Sequence, residues 1–142
     1  DNFHPLNGHV IPAMMQKFNN WTFGDEPVTC WGTGNPRREF LHCDDLADAC
    51  LFAMENYESA ELLNVGSGED VSIKELAEMM ARVTRYPGEI KWDTSRPDGT
   101  PKRPLDYSKL LEKGWKPKYK LLDGLRKTYQ WYIENTYYDS CK

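Results

Sequence analysis

At 142 residues the chain has room for one domain with a core of its own. Its 39% hydrophobic and 13% aromatic content excludes a disordered polymer. A net charge of −4 argues against a nucleic-acid partner, the basic residues at Lys102, Arg103 and 113–120 being read as solvated surface, and no apolar run reaches the roughly 18 residues that span a membrane. Cys30, Cys43, Cys50 and Cys141 lack close-paired spacing, which points to reduced thiols in a cytoplasmic protein and to no zinc site. No signal peptide is visible.

The opening residues read as a loop through the turn dipeptide Asn7-Gly8. A helix starts within His9-Val10-Ile11-Pro12, where proline's missing N–H is not needed. Ile11, Met14, Met15 and Phe18 give it one apolar face. Strands are expected over 28–31 and 38–42, separated by a Gly/Asn/Pro turn. A helix over 45–57, capped by Asp44 or Asp45, would bury Leu46, Ala49, Cys50, Ala53, Met54 and Tyr57.

A strand is expected over 62–65, ending in Gly66-Ser67-Gly68. The next helix is the best marked. Ser72 and Glu75 form a capping box, Val71 and Leu76 a hydrophobic staple, and Ile73, Leu76, Ala77, Met80 and Val83 the buried stripe. A strand over 89–92 precedes the turn-rich segment 95–101. A short helix over 107–113 stops at Gly114, and a last helix over 121–136 buries Leu122, Leu125, Tyr129, Tyr132 and Ile133. Lys120 stands where a capping residue is expected before that helix, and the tail 137–142 is expected to fray. Helices alternating with short strands make this an α/β chain, with too few strands for a complete doubly wound sheet.

Residues 30–48 carry the most chemical information. Arg37 and Arg38 follow a glycine-rich turn, and a planar guanidinium matches phosphate oxygens in pairs. The plainer alternative for Arg38 is an ion pair with Glu39 or Asp44. Arg37 alternates to the other strand face and is given no ligand role. Trp31 is either a strand-end core aromatic or a platform for a base or sugar. Gly66-Ser67-Gly68-Glu69-Asp70 lacks a third glycine and carries two carboxylates that would repel a pyrophosphate, so it is read as a turn leading into a helix.

The string Trp31-Gly32-x-Gly34-x-Pro36-x-Arg38-Glu39-Phe40-Leu41-His42-x-Asp44-Asp45-Leu46-Ala47 resembles the GDP-L-fucose synthase family, within the extended short-chain dehydrogenases. Asp1-Asn2-Phe3, His9-Val10-Ile11-Pro12, Asn64-Val65-Gly66 and Pro97-Asp98-Gly99-Thr100-Pro101 extend the likeness to about Asn135. The resemblance implies the C-terminal, substrate-binding portion (1–142) of an extended Rossmann-type enzyme. The NADP-binding glycine fingerprint would precede Asp1 and, like a Tyr-x-x-x-Lys pair in a suitable strand–helix setting, is absent here. By the same resemblance, His9 takes part in proton transfer and lies near NADP. Lys17, Trp31, Arg38 and Asp98 contact the GDP-sugar, with Arg103 at a basic position that is often Lys.

For His9 the plainer reading is structural, for Lys17 an ordinary solvated lysine, and for Asp98 turn chemistry. The implied parent is a cytoplasmic homodimer that epimerises and reduces GDP-4-keto-6-deoxymannose, with this portion inactive alone. Two alternatives stand beside it: another extended short-chain nucleotide-sugar epimerase or dehydratase, and a non-catalytic sugar-nucleotide-binding module.

Overall fold

The computed structural model describes residue 3 and residues 8–101 and 105–139, with side chains to 135. Arg103 lies outside the described residues, as do Asp1 and Asn2. The first helix, α1 (Val10–Asn19), buries Pro12, Met14, Met15 and Phe18, as its apolar spacing requires. Strand β1 (Thr29–Trp31) leads through the glycine turn to β2 (Arg37–Glu39), and helix α2 (Cys43–Asn56) follows. Strand β3 (Asp70–Ser72) runs directly into α3 (Ile73–Thr84). Then come β4 (Lys91–Asp93), α4 (Ser108–Glu112) and α5 (Leu121–Asp139), whose backbone is helical past the expected end at 136.

Two small sheets replace one large one. β1 pairs in parallel with β4, Trp31 opposite Asp93, and β2 pairs antiparallel with β3, Arg38 opposite Val71. Helix α3 packs between α1 and α5. The main core gathers Met14, Met15 and Phe18 with Val28, Cys30, Leu76, Ala77, Met80, Leu125 and Tyr132. Full burial of a side chain such as Met15, Leu76 or Met80 is worth about 1.5–3 kcal/mol. A second cluster holds Ala49, Leu110 and Trp115.

The capping box forms as the sequence requires. Ser72 Oγ accepts from Glu75 N–H at 3.1 Å, and Glu75 accepts from Ser72 N–H at 2.7 Å. Val71 and Leu76 meet in the main core. Gly114 ends the short helix at φ +98°, its N–H reaching Leu111 O while Trp115 N–H reaches Leu110 O, a Schellman arrangement.

Four expectations are corrected. Residues 62–65 form no strand and have no ladder partner among the described residues; Leu63 and Val65 pack onto the second cluster while Leu62 stays 92% exposed. Strand β3 forms instead at Asp70–Ser72, starting on the last residue of the segment read as a turn. The cap of α2 is His42, whose Nδ1 accepts from Asp44 N–H at 3.2 Å, so neither Asp44 nor Asp45 caps it. The buried face of α2 is Asp45, Asp48, Ala49 and Phe52, one position away from the expected stripe, and Leu46, Cys50 and Met54 are exposed.

The register of α2 follows from Asp45. This carboxylate, 1% exposed, accepts from the backbone N–H groups of Lys118 and Tyr119, each at 3.0 Å. It thereby fixes the segment that enters α5, where Lys120 offers no cap. Next to it, Asp48 accepts from Trp115 Nε1 at 2.9 Å and Lys118 Nζ at 2.6 Å. Replacing Asp45 with Ala leaves two half-buried N–H donors without that acceptor. We expect Asp45→Ala to lower unfolding free energy by about 2–4 kcal/mol, and Asp45→Asn by less, since the amide keeps one acceptor oxygen. Urea denaturation of the two variants checks both values.

Candidate functional site

The glycine turn 32–36 is held from several sides. Its Gly34 and Pro36 carbonyls accept the first amides of α3, from Lys74 at 2.9 Å and Ile73 at 3.0 Å. Gly32 N–H donates to Asp93 O at 2.9 Å, continuing the β1–β4 ladder. Both glycines have positive φ, and a Cβ at Gly34 would lie within 2.8 Å of the Trp92 ring. At Gly32 a Cβ would strike the carboxylate of Asp98. The turn therefore needs glycine at both positions for conformation and for closeness.

Asp98 closes the arrangement. Its carboxylate accepts from Thr33 N–H at 2.8 Å and from Thr33 Oγ1–H at 2.6 Å. The 93–101 segment is thus tied back onto the turn. The same segment ends on β2: Pro101 O accepts from Arg37 N–H at 2.8 Å, and Thr100 O accepts from Arg38 Nη1.

The two arginines are used differently. Arg37 pairs with Asp70 at 2.6 Å and Glu75 at 3.4 Å, and the Asp70 hydrogen bond raises its pKa further. Arg38 donates from Nη1 to Arg37 O at 2.7 Å and to Thr100 O, and its Nη2 lies beneath Gly99. No ion pair to Arg38 occurs among the described residues, so the surface-pair alternative fails. Its two expected partners are occupied elsewhere. Glu39 accepts from Gly68 N–H at 2.8 Å, and Asp44 takes Lys127 Nζ at 2.5 Å.

Trp31 is 58% exposed and so is not a core aromatic. Lys17 Nζ lies 5.3 Å and the Arg96 guanidinium 5.1 Å from its ring centroid, within cation–π range. Lys17 is also fixed by a 3.1 Å hydrogen bond to Thr29 O. Arg96 was not singled out from the sequence; its one local signal is a place inside the Ser95-Arg96-Pro97 turn. His9 is exposed at the N-terminus of α1, where its side chain makes no capping bond. The eight residues from His9 to Lys17 span about 12 Å of helix. Indole, guanidinium, ammonium and carboxylate thus line one strip, suited to a ligand with a flat or hydroxylated part and an anionic part.

The Gly66-Ser67-Gly68 loop already holds an anion. Glu39 fills it, touching Ser67 Oγ at 3.4 Å as well as the Gly68 amide. His42, Cys43 and Asp44 bring ligand-type atoms within 4.8 Å of one another, but His42 Nδ1 serves as a helix cap and Asp44 is paired to Lys127. A separate cleft of about 500 Å³ runs between the start of α2 and α5, lined by Phe3, Phe40, His42, Tyr119, Lys127 and Trp131 among others. No helix among the described residues is long and apolar enough to cross a membrane.

Comparison with known proteins places this geometry. A profile of the NAD dependent epimerase/dehydratase family matches residues 1–66. GDP-L-fucose synthase 1 from Arabidopsis thaliana is 52% identical over 136 residues, covering 95% of this chain and 42% of that protein. The crystal structure of a GDP-L-fucose synthetase from Naegleria fowleri bound to NADP superposes with a TM-score of 0.89 at 30% identity, over 96% of this chain and 43% of the other. The chain is thus similar to the NAD dependent epimerase/dehydratase family over its first 66 residues, and to GDP-L-fucose synthases over nearly its whole length. It spans less than half the length of the curated relatives it matches. The same fold occurs in a UDP-glucose 4-epimerase from Thermotoga maritima solved with UDP-glucose, at a TM-score of 0.80 and 27% identity, over 94% of this chain and 42% of that one.

The Thr33 hydrogen bonds, side chain first and backbone second, hold the Asp98 carboxyl below its ordinary value of 3.8. A depressed folded-state pKa means that the tether contributes stability above that ordinary value and loses it as pH falls through the depressed one. Carbon-13 NMR titration of the Asp98 carboxyl should give a midpoint below 3.8, with the Thr33 amide shifting at the same pH. Thr33→Val should return the midpoint toward the ordinary value.

Proposed function

We propose that this chain is the nucleotide-sugar-binding portion of an NADP-dependent enzyme that makes GDP-L-fucose from GDP-4-keto-6-deoxymannose, epimerising C3 and C5 and reducing C4. The observation that carries the reading is an arginine without an acidic partner among the described residues, on the strand that follows an anchored turn, with an exposed indole on the strand before it. Arg38 takes the diphosphate through its remaining donors, and Trp31 offers its face and N–H to the base or sugar. Lys17 adds a cation beside the indole. Asp98 keeps lone pairs beyond the two that Thr33 uses, enough to accept a ligand hydroxyl. Arg103, outside the described residues, keeps its proposed role on sequence grounds alone. His9, exposed at the N-terminus of α1, serves as a proton-transfer group in the epimerisation.

NADP, when bound, supplies the hydride for reduction at C4. The described residues do not fit its pyrophosphate: Glu39 occupies the glycine loop, and loop carbonyls occupy the first amides of α3. His9 is the candidate cofactor contact on this chain, and no hydride step is assigned to it. The cofactor domain would precede Asp1 in the parent protein. The exposed apolar face of α2, with Leu46, Leu51 and the 82% exposed Met54, supports a further domain against it. A cytoplasmic homodimer is the proposed state of that parent.

The second reading is another nucleotide-sugar enzyme of the family, favoured by the fold shared with the UDP-glucose epimerase. In the full-length protein, Arg38→Ala should weaken GDP-sugar binding by about 1.5–3 kcal/mol, seen as a KM raised by one to two powers of ten. His9→Ala should lower kcat by about 10²–10⁴ with a smaller effect on KM. Steady-state kinetics with GDP-, UDP- and dTDP-sugars checks these values. Unchanged kinetics in Arg38→Ala would overturn the site, and a preference for UDP- or dTDP-sugars would favour the second reading. The sequence encoded upstream of Asp1 separates both from a non-catalytic module.

A further inference from the structure

We propose that the cleft between the end of α3 and the middle of α5 is an anion site, which takes a phosphorylated small molecule through Arg82, Arg85 and Arg126. The cleft shares no residue with the strip around Trp31, and the assignment stands independently of the nucleotide-sugar reading.

The cleft has a volume of about 540 Å³, with Val83, Tyr129 and Ile133 as its apolar wall. That size is within the range of small-molecule sites. Arg82 stands in the last turn of α3, and Arg85 follows as its C-cap. Arg126 lines the cleft from α5. The twelve residues of α3 put about 18 Å between this end of the helix and the end that holds the glycine turn. Arg85 has φ +59°, in the left-handed region that favours glycine. Glycine would serve that backbone at least as well, so what an arginine adds at this position is its side chain.

Arg126 pairs with Asp123 at 2.9 Å, one turn earlier on α5. Arg82 and Arg85 have no ion pair or side-chain hydrogen bond among the described residues. Three guanidiniums and one carboxylate leave two positive charges uncompensated, on a chain that is acidic overall. A phosphate monoester, with about −1.5 to −2 charge at pH 7 and three acceptor oxygens, matches that excess. Guanidiniums also fit phosphate oxygens in pairs. The neutral polar groups of the cleft are committed: Tyr129 OH donates to Asn19 at 2.9 Å, and Gln130 donates to Glu134 at 2.6 Å. Glu134, bonded to that lining residue, would repel a longer polyanion, so the cleft selects a compact phosphate ester over an acidic peptide.

The test is calorimetric titration of the full-length protein with inorganic pyrophosphate at physiological ionic strength. Pyrophosphate also suits the Arg38 guanidinium, so the titrations are made with Arg38→Ala in place. That protein should still bind the probe. Adding Arg82→Ala and Arg85→Ala together should weaken the remaining binding by one to two powers of ten. Arg85→Gly in the same background should weaken it about tenfold and leave thermal unfolding unchanged, because glycine suits the backbone there. The assignment fails if Arg38→Ala abolishes all pyrophosphate binding, or if binding survives the loss of both arginines. Lower stability with unchanged affinity in Arg85→Gly would make that arginine a helix cap only, and also overturns the assignment. So does binding of a polyglutamate peptide without binding of pyrophosphate, which would mark a protein-docking surface. None of these outcomes bears on the nucleotide-sugar reading, which the Arg38→Ala kinetics decide.

Discussion

The Asp98 carboxylate, bonded to both donors of Thr33, is the constraint on which the candidate site depends. It ties the middle of the 93–101 segment to the glycine turn, while Gly32 N–H on Asp93 O and Arg37 N–H on Pro101 O hold its two ends. With it, the segment carries Arg96 to one end of the strip and lays Gly99 and Thr100 across Arg38 at the other. The glycines make the closeness possible, since side chains at 32 or 34 would collide with Asp98 or with Trp92. The amides of α3 then lock the turn to the core through Lys74 and Ile73. A loop between short strands thereby acquires the rigidity of the helix behind it.

Charge is sorted with equal economy. The chain is acidic overall, yet the strip is cationic. Several acids that might have neutralised it are engaged elsewhere, while Asp98 stays in the strip and Asp93 lies 3.8 Å from Arg96 Nε. Asp70 and Glu75 hold Arg37, Glu39 fills its glycine loop, and Asp44 holds Lys127. The Lys127 hydrogen bond keeps the Asp44 carboxyl below its ordinary value, a sign that Asp44 is committed to that pair. Among the described residues Arg38 is left with carbonyl partners, which can share a guanidinium with a phosphate without a competing negative charge.

Local signals in the sequence were sufficient for the helices with strong punctuation. The Ser72–Glu75 box, the α1 stripe and the Gly114 stop each depend on residues within a few positions of one another, and each forms. Features that depend on distant residues were not legible. Residues 62–65 have strand-like composition, but a strand also requires a neighbour, and none is present among the described residues. In α2, apolar residues lie on two faces. The choice between them is made by Asp45, whose hydrogen-bond donors lie more than seventy positions away. Arg38 and Trp31 were recognisable because the family motif is contiguous. Arg96 was not, because it reaches the indole only after β4 pairs with β1.

The most direct measurement is a crystal structure of the full-length protein with a GDP-sugar bound. The account predicts diphosphate oxygens at hydrogen-bond distance from Arg38, with the ligand in contact with the Trp31 ring. It also predicts the sugar directed toward His9. A nucleotide bound elsewhere, with Arg38 bonded only to the Arg37 and Thr100 carbonyls, would contradict it.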